Sequence, residues 1–100
     1  MYGTVARMKA RAGTGELLNE LGRQLHEVRP AGMVGTFIFQ MDADPDEYIM
    51  AVAFESREAY RANADSPEQD ARYQELRALL EADPEWHDGE IVYSDGPPAS

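Results

Sequence analysis

Two neighbouring runs near the middle of the chain constrain the fold more than anything else in it. Gly32 to Met41 and Glu47 to Glu55 both alternate with period two, and both are apolar on each side. In the first run Met33, Gly35, Phe37, Phe39 and Met41 fall on one face, and Val34, Thr36, Ile38 and Gln40 on the other. In the second, Tyr48, Met50, Val52 and Phe54 oppose Ile49, Ala51 and Ala53. Period two marks strands. The breaker-rich Asp42-Ala43-Asp44-Pro45-Asp46 between them makes the pair an antiparallel hairpin. One layer of helices covers only one face of a sheet. The second apolar face needs its own cover: a partner's sheet, an apolar cavity for a small molecule, or both. Two copies packed face to face satisfy the pattern, so a homodimer through sheet faces is expected.

The flanking segments complete the layout. Tyr2 to Arg11 alternates, with Tyr2, Thr4, Ala6, Met8 and Ala10 on one side and Val5, Arg7, Lys9 and Arg11 on the other. Ala12-Gly13-Thr14-Gly15 breaks it, with Thr14 placed to cap a helix. Leu17, Leu18, Leu21, Leu25 and Val28 then recur at helical spacing up to Arg29-Pro30. Ser56 caps a short helix from Arg57 to about Asp65. Ser66-Pro67-Glu68-Gln69 restarts it with a capping box, and Gln69, Tyr73, Leu76 and Leu80 form its stripe until Asp83-Pro84. Glu90 to Ser94 reads as the last strand, entered through Trp86-His87-Asp88-Gly89. The order is β-α-β-β-α-β. It predicts an α+β, ferredoxin-like domain over residues 1–95: a four-stranded antiparallel sheet with two helical segments on one face. Gly96 to Ser100 reads as a disordered tail.

Composition removes whole classes of function. The chain has no cysteine, so a disulfide scaffold, a thiol nucleophile and a thiolate metal site are excluded. Nine Lys and Arg stand against 19 Asp and Glu, a net charge of −10. Such a chain lacks the basic patch that nucleic acid or an anionic membrane requires. The longest apolar run, Ala31 to Phe39, falls far short of the roughly 20 residues of a spanning helix. No basic segment leads into an apolar core at the start, so a cytoplasmic location is expected. No phosphate loop, dinucleotide fingerprint or Ser-His-Asp set is present.

Val52-Ala53-Phe54-Glu55-Ser56-Arg57-Glu58-Ala59-Tyr60 resembles the strand, serine and helix opening of dimeric α/β-barrel proteins. Ala62-Asn63-Ala64-Asp65-Ser66-Pro67-Glu68 resembles the segment that follows it in the antibiotic biosynthesis monooxygenase family. The resemblance spans about residues 2 to 94. It implies a dimer whose two sheets form a barrel, with an apolar pocket between sheet and helices in each subunit. It also implies oxidation of an aromatic or polyketide-like molecule by O₂ with no cofactor, the substrate's own carbanion reducing oxygen. Other relatives hold or cleave haem, bind other ligands, or have no known activity, so a non-catalytic or stress-associated binding module and a haem-binding relative are the alternatives. Asn63 occupies the place where relatives carry His or Asn, which makes it the candidate catalytic residue. Pro67 stands where some active members carry Trp, and Glu68 where a second His is often found.

The remaining candidates come from side-chain chemistry. The Asn63 amide can hydrogen-bond a phenol or enolate, or it can simply end a helix in the left-handed conformation. Tyr60, Arg72 and Tyr73 are placed to reach the same pocket, with core packing the default role of Tyr73. Trp86 and His87 could stack on a flat ligand and supply a base, or form an interface aromatic beside a surface histidine. His26 sits at a helix end, where a cation complements the dipole. No metal-ligand spacing is visible, so no metal and no cofactor are expected.

Overall fold

The computed structural model describes residues 1–95. The chain runs β1 (Tyr2–Lys9), α1 (Gly15–Val28), β2 (Met33–Gln40), β3 (Glu47–Phe54), α2 (Arg57–Ala64), α3 (Pro67–Ala78) and β4 (Glu85–Glu90). The strands form one sheet in the order β2-β3-β1-β4, antiparallel throughout. This is the ferredoxin-like architecture that the periodicities predict. The second helical segment is divided, because Asp65 closes α2 and Ser66 opens α3.

One face of β1 and β3 carries the core. Met8, Ala10, Leu18, Tyr48 and Leu80 are buried together, with Met50, Leu76 and Leu79 packed against them. Phe54 is buried further along, where its ring meets Tyr60 edge-on at 5.7 Å. Beyond Lys9 the chain stays tied: Ala10 bridges to Leu80, and Arg11 N donates to Leu79 O at 2.8 Å. Arg7 pairs with Glu47 and Lys9 with Asp44, so both cations are met by the β2–β3 hairpin.

Four local expectations are corrected. The last strand is Glu85–Glu90, not Glu90 to Ser94. Its register pairs Glu90 with Tyr2, so pairing along β1 runs out there, apart from one further bond from Ile91 N to Met1 O at 2.9 Å. The sequence EWHDGE has no apolar alternation, because β4 is an edge strand with every residue exposed. In β2 a bulge between Met33 and Gly35 shifts the phase. Met33 therefore faces the helices, where the Thr36 hydroxyl meets its sulfur at 3.5 Å, while Phe37 and Phe39 keep the opposite face. Thr14 caps no backbone N–H; its hydroxyl donates to Arg11 O at 2.7 Å. Ser66 accepts from Gln69 N at 3.1 Å, but the Gln69 side chain does not close the capping box. It turns instead to Asn63 and Arg72.

Candidate functional site

The helices bring a polar triad together. Asn63, near the end of α2, offers Nδ2 to Gln69 Oε1 at 3.3 Å, and its Oδ1 accepts from Arg72 Nη2 at 3.2 Å. Arg72 also donates to Gln69 Oε1, at 3.1 Å from Nη2 and 3.3 Å from Nε. The three half-buried side chains hold α2 against α3 across the Ser66 turn. Asn63 is not in the left-handed conformation: among the described non-glycine residues only Arg29 has positive φ. Its local role is a side-chain bridge between two helices, and the amide is engaged at both ends.

Tyr60 lies one helical turn before Asn63, so the two share a face of α2. Its ring packs on Tyr2 at 5.3 Å and on Phe54, while Arg57 sits 5.6 Å over Tyr2. Its hydroxyl donates to Asp88 Oδ1 at 2.9 Å. Burial first, then the hydrogen bond to Asp88 and its negative charge, push the Tyr60 pKa up to about 12. The phenol therefore stays protonated in the folded chain after an ordinary tyrosine, of pKa about 10, has ionised. The stability this contributes is complete below pH ~10 and is lost as pH rises through about 12. An alkaline absorbance titration should show a late tyrosine step near pH 12 that is missing in Tyr60→Phe.

Strand geometry separates Trp86 from His87. Successive side chains on a strand point to opposite faces. Trp86 pairs with Ala6 and looks toward the helices, its ring 6.4 Å from that of Tyr73. His87 pairs with Val5 on the opposite face. Of the two readings of this pair, the one in which both stack on a single ligand does not fit this geometry. Its cause is the misplaced strand start: once Glu85 opens β4, alternation puts Trp86 with Asp88. Asp88 and the buried Thr4 opposite it are the groups that the sequence reading missed.

Two concavities open on the surface. One, of 690 Å³, lies between α1 and β2 and includes Arg23, His26, Arg29, Met33 and Ile38 in its wall. The other, of 1090 Å³, lies largely on the open face of the sheet against Val5, Phe37, Ala51, Ala53 and His87. His26 lines the first, and His87 lines the second together with Thr4 and Asp88; Asn63, Tyr60, Arg72, Tyr73 and Trp86 line neither. Among the described residues no three His, Asp or Glu side chains gather as a metal ion would require. No helix among them is long and apolar enough to cross a membrane.

Comparison with known proteins agrees with this architecture. A Chloroflexus aurantiacus protein named as a candidate antibiotic biosynthesis monooxygenase is 23% identical, with a TM-score of 0.77 over 95% of this chain and 96% of that one. SnoaB, a cofactor-independent oxygenase from Streptomyces nogalater solved as an asparagine-to-alanine mutant, is 17% identical, with a TM-score of 0.79 over 93% and 94%. A Deinococcus radiodurans protein, also named as a candidate antibiotic biosynthesis monooxygenase, is 13% identical, with a TM-score of 0.79 over 97% and 98%. These identities establish a shared fold. Among curated proteins no sequence matches. The sequence profile of the antibiotic biosynthesis monooxygenases matches residues 1–75, which takes in Tyr60, Asn63, Arg72 and Tyr73 and stops before β4. On that match over three quarters of its length, the chain belongs to the antibiotic biosynthesis monooxygenase family.

Proposed function

We propose that this chain is a cofactor-independent monooxygenase that oxidises an aromatic or polyketide-like small molecule with O₂. Family membership supports a monooxygenase. The observation that carries the finer reading is the Asn63–Arg72–Gln69 triad, set one turn from Tyr60 and on the helix that carries Tyr73. An amide and a guanidinium held in one place suit a developing phenolate or enolate, because fixed dipoles stabilise charge without reorganising. The Tyr73 and Trp86 rings offer flat apolar surface to an aromatic substrate.

The test is oxygen uptake by metal-free protein over a panel of anthrones and hydroquinones. Uptake should proceed without added cofactor. It should fall by about a hundredfold or more in Asn63→Ala, the range for removal of an oxyanion donor. The melting temperature should drop by only a few degrees, since the triad is half exposed. Uptake unchanged in Asn63→Ala would take Asn63 out of the mechanism.

A second reading, a non-catalytic dimeric module that holds a small apolar ligand, is favoured by one observation. Both ends of the Asn63 amide are already bonded within the chain. Under that reading no panel compound raises uptake above background. In either case the partner is a second copy, and the open face of the sheet is the proposed contact.

A further inference from the structure

We propose that the cavity between α1 and β2 is a binding site of its own, for a small apolar molecule that carries one carboxylate. The inference goes beyond the monooxygenase reading and does not depend on it, because Tyr60, Asn63, Arg72, Tyr73 and Trp86 do not line this cavity. Its volume of 690 Å³ is that of a small-molecule site, which typically spans roughly 300–1,000 Å³.

The walls are apolar and leave room. Strand pairing puts Ile38 opposite Met50, on the side of β2 that the helices should cover. Ile38 is nevertheless 42% exposed, because α1 does not close over it and the cavity occupies the gap. Leu25 of α1 and Met33 of β2 complete the apolar lining, and the flexible thioether of Met33 can follow the shape of a ligand. Gly22 faces Ile38 from the middle of α1. Glycine is a poor residue for a helix interior, and packing does not require it here. A Cβ added at Gly22 would stand 3.5 Å from Ile38 Cδ1, an ordinary contact. What glycine provides is space, since a longer side chain at this position would enter the cavity.

One end of the cavity is cationic. Arg23, His26 and Arg29 follow at three-residue spacing along the last part of α1 and its cap, and all three line the cavity. Arg29 closes the helix at φ +40°, in the left-handed region where glycine is the usual choice. Its Nη2 donates to Val34 O at 3.1 Å, which ties the guanidinium to β2. A guanidinium carries five N–H donors in one plane, so it can hold Val34 O and a ligand oxygen together. Arg23 pairs with Glu20 at the surface, where such a pair contributes little, and a ligand carboxylate can take the place of Glu20. The acid in the lining, Glu16, lies ten residues before His26, about 15 Å along the helix. The cavity is therefore polarised along α1. The carbonyl end of a helix repels a bare anion, so the ligand charge has to be met by these side chains. A planar carboxylate fits the guanidinium fork, whereas apolar walls disfavour a strongly hydrated dianion such as phosphate.

Naphthoate titrated into isotope-labelled full-length protein tests the site. Binding should saturate by millimolar ligand, with amide shift changes centred on Gly22 and Gly35, one on each wall. Naphthalenemethanol, the neutral analogue, and inorganic phosphate should each bind at least about tenfold more weakly. Arg29→Gln should weaken naphthoate by about tenfold or more, the loss expected for a hydrogen bond to a charged group, and leave naphthalenemethanol unchanged. Gly22→Leu should abolish binding of both and melt no lower than wild type, because leucine is the better helix former. Arg11→Gln, an exposed cation outside the cavity, should match wild type. Melting curves identify any variant that fails to fold. No saturable naphthoate binding, shifts centred on Asn63 and Tyr73 with Gly22 unmoved, or undiminished affinity in Gly22→Leu overturns the site. Equal binding of the alcohol or of phosphate, or an Arg29→Gln variant that binds naphthoate as tightly as wild type, overturns the carboxylate assignment.

Discussion

Gly32→Ala should cost about 2–5 kcal/mol of folding stability, one of the largest losses available to a single methyl group in this chain. Gly32 has φ +81°, where an L side chain meets its own backbone, and that conformation costs about 1–2 kcal/mol. A Cβ at this position would also stand 2.6 Å from the Ala59 Cβ on α2. Relief requires α2 to shift, and crowding a packed site costs typically about 1–3 kcal/mol. The loop cannot easily move instead, because Gly32 O accepts from Glu55 N at 2.8 Å and fixes it to the end of β3. A domain of this size holds about 5–15 kcal/mol in all. The melting temperature should fall by roughly 10–25 °C. Gly13→Ala is the internal control. Gly13 has φ +82° but nothing within 4 Å of the added Cβ, so it should suffer the conformational loss alone. Equal losses at the two positions in urea or thermal unfolding would mean that the loop before β2 does not bear on α2.

Where backbone periodicity met a simple tertiary environment, the sequence was legible. β1 and β3 are central strands with one face under the helices, and their alternation survives into the structure residue by residue. β4 was displaced because an edge strand with all residues exposed has no apolar pattern to read. The β2 bulge was invisible for a different reason: a single extra residue moves Met33 across the sheet without changing the composition of the run. The consequences reach the candidate site. With β4 begun five residues late, Trp86 and His87 looked like neighbours around one ligand, and Asp88 looked like loop. With Gln69 assigned to an apolar stripe, its bonds to Asn63 and Arg72 could not be foreseen. Side-chain bridges between helices depend on how the helices dock, and local spacing does not encode that.

Phe37→Asp should convert a dimer into a monomer. The open face of the sheet leaves Phe37 65%, Phe39 54% and Val5 46% exposed, around a hollow floored by Ala51 and Ala53. Monomeric proteins rarely leave a contiguous apolar surface of this kind uncovered. Arg7 meets Glu47 and Lys9 meets Asp44 toward one end of this face, and Asp88, Glu90 and Asp95 border the hollow toward the other. Just past β4, Val92 and Tyr93 overhang beyond the last β1 pairing and are largely exposed, so apolar surface continues past the sheet edge. A stable interface needs about 800 Å² from each partner, and a phenylalanine buries about 150–250 Å². Phe37 and Phe39 therefore supply a large share of it. A two-fold contact places every substitution twice. If each aspartate costs about 2 kcal/mol, the loss typical of a central aromatic, dissociation should strengthen about a thousandfold. Light scattering behind size exclusion should then give twice the chain mass for the wild type and one chain mass for Phe37→Asp at micromolar protein. Lys9→Ala, beside Asp44, should leave the dimer intact. Far-ultraviolet circular dichroism should match between wild type and Phe37→Asp, because the Phe37 side chain is outside the core. A dimer of unchanged strength in Phe37→Asp would remove this face as the contact, and the apolar hollow would then have to be covered by a ligand instead.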